Sequence, residues 1–415
     1  MVNAIAFLFG AVLIFAQMTS LRGEASIGPL DIALVMMAVM SAVVSLTLAR
    51  RHDRLGEKAP VSGVYAAATS PVFLYGAISA LVIMISLALN FQRPAASTES
   101  LSTAALPFFA NSLVIAGFVL TLYHKSATAL LYGFVTASLM IGAFYVLGYL
   151  TQNADMLYEA RSKGLALNPN QTALQALATL LVLITALVKI PPDHKFLMAG
   201  AIAAIPLTMI YGLGTGSDSL ILCLPGVLAS AGIIVMDRLR VKLWVVIVSG
   251  LVLGTGFLVA LAIAIPGIFG GVGRSLQAQF AQGSQDTDRQ LLWQHGMAAW
   301  SDSPWFGHGP GAWSGIGGPY QGLEAHNSLI DWVTIAGAVG FVPILIIVIS
   351  AFRFPRRFRL FRITGLLTLI IFTLFHFTFR LPIFWLAVAV LVSPFFSWAD
   401  AADRRNAATV DPPHR

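Results

Sequence analysis

Three groups of residues able to do chemistry follow one another between Asp286 and Gly340. Arg289 opens a short amphipathic stretch, DRQLLWQHGMAAW. A tight Pro/Gly turn follows, Asp302-Ser-Pro-Trp-Phe-Gly-His-Gly-Pro-Gly. Then His326-Asn327 stands at the mouth of a long apolar run. An arginine is a permanent cation whose planar fork of donors suits a phosphate or carboxylate. An imidazole can take a proton near neutral pH and so serve as a general base. A cation, a shaped loop and a potential base therefore sit in tandem.

The elements that must position them are membrane helices. Apolar residues make up 57% of the 415-residue chain and charged residues 10%, against roughly 25% charged in a soluble domain. Runs long enough to cross a bilayer, which takes about 20 residues, fall near 3–19, 30–49, 71–91, 105–123, 126–150, 172–190, 196–214, 219–236, 243–267, 326–350, 363–379 and 383–398. The fold class expected is all-α, a polytopic integral membrane protein with about twelve transmembrane helices. With a cytoplasmic N-terminus, alternation puts 18 of the 25 Lys and Arg residues inside and 7 outside, as the positive-inside rule requires. The net charge of +7 is thus a topology signal and not a nucleic-acid footprint. The first run lacks a basic leader and a small-residue cleavage site, so it reads as a retained helix. Cys223, the single cysteine, excludes an intrachain disulfide.

The division that follows is 1–267, helices one to nine; 268–325, a large outer loop with amphipathic helices; 326–398, helices ten to twelve; and 399–415, a polar, disordered cytoplasmic tail.

The tandem of Arg289, a Trp, the D-x-P-W-F-G-x-G-P-G phrase and the H-N opening a span with Gly337 and Gly340 resembles the O-antigen ligase and polymerase family of bacterial membrane glycosyltransferases. The resemblance covers the second half of the chain in its motifs and the first half mainly in topology. It implies a GT-C-like architecture and an active site on the periplasmic side of the inner membrane. It also implies transfer of a glycan from a polyprenyl diphosphate, such as undecaprenyl diphosphate, to a hydroxyl of the lipid A core or of another glycan. A sugar hydroxyl is a weak nucleophile and wants a base, and a departing diphosphate gathers charge that fixed cations stabilise. His326 as base and Arg289 as cation meet both needs. Because the donor is already activated on a lipid, the resemblance calls for no cofactor and no metal. The partners implied are the lipid-linked donor, the acceptor and membrane lipids, with no nucleic acid. A transporter of lipid-linked sugars is the alternative from another class, but it would be expected to carry charges near the bilayer midplane, and here they lie at the outer boundary.

Further residues are weighed beside these. Arg161 lies in the outer loop 151–171 before Asn168-Pro169-Asn170, a phrase that also reads as a helix start. Arg161, Arg274, Arg380, Asn327 and Trp305 are the candidate substrate-binding residues. Arg380, with His376, ends span eleven, where an ionisable group is a functional candidate, although a snorkelling arginine would look the same. Asn327 reads as a helix cap or a partner of His326, and Asp331, deeper on the same helix, as a residue that tunes the site. Trp293, Trp300, Trp305 and Trp313, half of the eight tryptophans, suit either interfacial anchoring or sugar stacking. Asp286-x-Asp288 has a metal-pair spacing but no third hard ligand nearby. His295 reads as a surface residue and His308 as a minor candidate. Two positions depart from the family pattern: Asp218 stands where an arginine is usual after T-G-S, and Ile335 where an acid is usual.

Overall fold

The computed structural model describes residues 2–16, 28–54, 67–90, 101–122, 127–158, 161–166, 168–189, 194–239, 283–312, 323–352 and 356–392. The span expected at 243–267, Arg274, Trp313 and the tail 399–415 lie outside them.

Among the described residues the chain is helical apart from one two-residue hairpin. The helices are α1 (Val2–Phe15), α2 (Pro29–Arg54), α3 (Pro71–Asn90), α4 (Leu101–Leu122), α5 (Ala127–Leu150), α6 (Pro169–Lys189), α7 (Lys195–Gly214), α8 (Asp218–Leu239), α9 (Gly283–Asp302), α10 (Ser328–Phe352), α11 (Arg356–Thr373) and α12 (Pro382–Val392). The hairpin pairs β1 (Leu157–Tyr158) with β2 (Arg161–Ser162) between α5 and α6. Six helices are long and apolar enough to cross a membrane: α3, α5, α7, α10, Ala104–Leu122 of α4 and Pro169–Leu187 of α6. Shorter apolar helices lie at Val2–Phe15, Pro29–Val44, Asp218–Ile234 and Pro382–Val392.

Local chemistry sets several helix starts. The Asn168 side chain accepts the Gln171 N–H at 3.0 Å, with Pro169 in the first helical position, so NPNQ does cap α6. The Asp31 carboxylate accepts the Gly28 N–H at 2.8 Å and opens α2. The eleventh helix stops at Thr373, short of the 363–379 expected. Residues 374–381 form a turn instead, tied down where the Ser328 hydroxyl meets the His376 carbonyl at 2.5 Å and accepts the Thr378 N–H at 2.9 Å.

The core is continuous and is richest around α6, where Leu177, Leu181, Val182 and Leu183 are fully buried, and around α12. Large apolar side chains such as Leu81, Met140 and Leu147 face outward, as lipid-facing positions should. In lipid, helices associate by close packing, which small residues permit. α1 and α5 meet in this way: a side chain on Gly10 would run into the Leu130 carbonyl, and one on Gly133 into the Phe7 carbonyl. Gly133→Leu is therefore expected to separate these helices, at a cost of about 1–3 kcal/mol or more from overpacking. It should lower the thermal midpoint of the detergent-solubilised protein, and an unchanged midpoint would refute the contact.

Candidate active site

The site is built at one end of the bundle, where α5 and α7 end and α6, α8, α10 and α12 begin. Its most constrained part is α10. Gly337, at φ 63° and ψ −168°, is not helical and interrupts the span. Two helical rungs open there: the 334 and 335 carbonyls no longer receive the 338 and 339 N–H groups. The turn 304–309 takes all four. The His308 N–H donates to Thr334 O at 2.8 Å and the Gly309 N–H to Ile335 O at 3.0 Å. The Ala338 and Val339 N–H groups donate to the Pro304 and Trp305 carbonyls at 2.7 and 3.1 Å. Only glycine tolerates this backbone region, and a Cβ at Gly337 would strike the Trp305 carbonyl.

The same turn fixes α9. His308 Nε2 lies 2.6 Å from the Ala299 carbonyl, and the Trp300 indole N–H donates to Pro304 O at 3.0 Å. Nearer the start of α9, the Trp293 indole N–H donates to Ala325 O at 3.0 Å. Arg289 lies one helical turn before Trp293, with an exposed side chain. The helix bearing the cation is thus tied to the strap that bears His326.

His326 is exposed and has left-handed backbone, φ 51°. Asn327 behind it caps α10, its side-chain oxygen accepting the Leu329 and Ile330 N–H groups at 3.0 and 3.3 Å. The cap, one of the two sequence alternatives, is the arrangement found. Asp331 is fully buried beneath this strap.

His326 lines a partly open cavity of about 70 Å³ with Asn168, Asn170 and Gln171 from the start of α6, Glu324 from the strap, and His376, Thr378 and Arg380 from the turn after α11. Phe372, Phe377, Leu174 and Leu381 supply its apolar wall. Arg380 is ion-paired with Glu324 at 2.6 Å and lies over the Phe377 ring, 5.5 Å from its centroid. It is therefore held in the cavity rather than extended toward a headgroup region. His376 bonds the Ser219 hydroxyl at 2.8 Å. Burial, and then the charges of His326, Arg289 and Arg161, hold its imidazole down at about 3. Three of the cations and bases singled out in the sequence therefore act on one half-buried histidine.

Arg161 is half-buried beside this wall. Its Nε donates to the Thr215 carbonyl at 2.7 Å, and its Nη2 is 3.5 Å from Asn170 Oδ1. That brings a guanidinium onto the T-G-S-Asp218 turn, where the sequence resemblance calls for an arginine and the chain has none. Trp305 is 69% exposed on the outer surface of its turn and is not part of the cavity lining. His308 is buried and serves as a tie. Among the described residues no cluster of three or more His, Cys, Asp or Glu could hold a metal ion. Glu324 was missed in the sequence, although it lies two residues before His326.

The family model described as O-antigen ligase matches residues 201–345, about a third of the chain. The match takes in α7, α8, α9, the 304–309 turn, His326 and the break in α10; Arg161, His376 and Arg380 lie outside it. No curated protein matches the chain. The chain resembles the O-antigen ligase family.

The filled break gives a test of its own. Gly337→Ala would force a side chain into backbone that is almost confined to glycine, at a cost of about 1–3 kcal/mol. Faster amide exchange is expected in peptides covering 304–309 and 334–339, with other helices unchanged. Undiminished protection would show that the turn does not depend on the break.

Proposed function

We propose that the chain is a membrane glycosyltransferase of the O-antigen ligase and polymerase type. It moves a glycan from a polyprenyl diphosphate to an acceptor hydroxyl on the outer side of the bacterial inner membrane. The observation that carries this reading is the placement of His326: exposed, on strained backbone, at a cavity whose buried wall feels the charges of Arg289 and Arg161. The resemblance of residues 201–345 to O-antigen ligases supplies the reaction class.

In this reading the acceptor oxygen attacks the anomeric carbon of the donor while His326 takes its proton. The bond from that carbon to the diphosphate oxygen breaks, and the lipid diphosphate leaves with the electron pair. Charge grows on the diphosphate in the transition state, so cations fixed beforehand lower the barrier. Arg289 has that role. Arg161, braced on the Thr215 carbonyl, supplies the second cation in place of the one missing at Asp218. Arg380 is partnered by Glu324 and shapes the cavity. Catalysis needs no metal or nucleotide, because the leaving group comes with the lipid.

The preferred acceptor is the lipid A core. In a deletion strain, loss of all capped lipopolysaccharide supports ligation; a single repeat unit on the core shows polymerisation by the same chemistry.

His326→Ala is expected to slow transfer about 10²–10⁴-fold, the usual worth of a general base, in protein that inserts normally. Arg289→Lys should not restore full rate, since an ammonium keeps the charge and loses the fork. Near-normal transfer by His326→Ala removes the assignment of the base. The topology is checked separately. Reporter fusions in the loop containing α9 should report the outer side and fusions after residue 399 the cytoplasm; a cytoplasmic loop would put the site on the wrong face.

A further inference from the structure

A non-glycine residue at φ 51° costs energy and persists only where its surroundings impose it. Around His326 the surroundings are specific. Asp331 Oδ1 accepts the Ala325 N–H at 2.8 Å and its Oδ2 the Asn327 N–H at 3.3 Å. The carboxylate thus holds the residue before His326 and the residue after it. From the other side the Trp293 indole N–H donates to the Ala325 carbonyl. Ala325, itself fully buried, is gripped at both of its backbone groups.

We propose that Asp331 and Trp293 are positioning residues that fix the backbone on either side of His326, so that its imidazole is presented to the cavity. The inference rests on the reading of His326 as the base. A helix cap alone does not account for the arrangement. The Asn327 side chain already serves the Leu329 and Ile330 N–H groups, and the grip of Asp331 on Asn327 resembles a capping box displaced by one residue. The bond to Ala325 lies outside the helix and satisfies nothing in it. Trp293 adds a second consequence. It lies four residues after Arg289, on the same face of α9, so its bond sets the distance between cation and base. Misplacement of a catalytic group by about 1 Å can cost on the order of 10² in rate.

The test uses the purified full-length protein in detergent, assayed for transfer from a polyprenyl-diphosphate-linked glycan, with kcat and KM resolved. Asp331→Asn keeps one acceptor and sets an NH₂ against a backbone N–H. Trp293→Phe keeps an aromatic ring and deletes the donor. Each is expected to lower kcat about 10- to 100-fold with the donor KM changed by no more than about two-fold, because the cavity lining is untouched. Asp31→Ala is the control: it removes a like carboxylate-to-backbone bond at the start of α2, at a residue that does not line the cavity, and should leave kcat unchanged. Wild-type kcat in Trp293→Phe, in a protein that His326→Ala silences, overturns the proposal while leaving the base in place. So does a rise in KM with kcat kept. An active His326→Ala overturns the base reading instead. Should Asp331→Asn fail to insert, Trp293→Phe decides alone.

Discussion

A helix broken inside an apolar bundle leaves polar groups stranded, and an unpaired N–H or carbonyl in a medium without water costs several kcal/mol. The break at Gly337 opens four such groups, and the turn 304–309 answers each of them. The rest of the site depends on that exchange. The turn can meet α10 only if α9 lies where His308 and Trp300 can reach, and α9 carries Arg289. The break also permits α10 to carry an ordinary capped helix of nine residues above it, with His326 at the top. From the α3 side, Ser86 donates to the Ile335 carbonyl and Asn90 approaches Gly307, so the filled break is also the junction of the bundle with the segment 283–312. Broken helices often mark transport pathways. Here the break is plugged by peptide groups of the chain itself, and the charged side chains lie above it.

The helices were legible because burial in lipid writes itself into composition: a run of about 20 apolar residues admits few other readings. Eleven of the expected runs fall on helices, of which six among the described residues are long and apolar enough to cross a membrane, and 243–267 lies outside the described residues. The capping of α6 by Asn168 and of α10 by Asn327 was legible for a related reason, since caps are local. What was not legible depends on pairing between segments far apart in sequence. The P-W-F-G-H-G-P-G phrase read as a tight turn, which it is, but nothing in its own residues says that it replaces two rungs of a helix. The end of α11 at Thr373 was missed for the same reason: HFTF is apolar enough to continue a span, and the bonds from Ser328 that stop it come from another helix.

The candidate site was legible in its residue types and not in its grouping. His326 and Arg289 stood out by residue type and by the tandem phrase that carries them, Arg161 by its place in the loop before α6, and Arg380 as an ionisable group at the end of a span. The structure separates their environments. Arg380 has Glu324, Arg161 has the Thr215 carbonyl, and Arg289 is exposed. Asn168 and Asn170 read first as a helix start, and they are that; the same geometry also makes them a wall of the cavity.

The cavity holds two histidines, and their surroundings assign them different work. His376 is half-buried, bonded to Ser219, and kept neutral far below neutral pH by burial first and then by the charges of His326, Arg289 and Arg161. A group so disfavoured from taking a proton cannot remove one from a sugar hydroxyl; it can only hold a hydrogen bond. His326 is placed differently. It lines the cavity and is exposed to solvent, as the proposed base must be to release its proton before the next turnover. In the proposed reaction the cations Arg289 and Arg161 that stabilise the leaving diphosphate also add to burial in disfavouring a proton on His376, so the same charges oppose its use as the base.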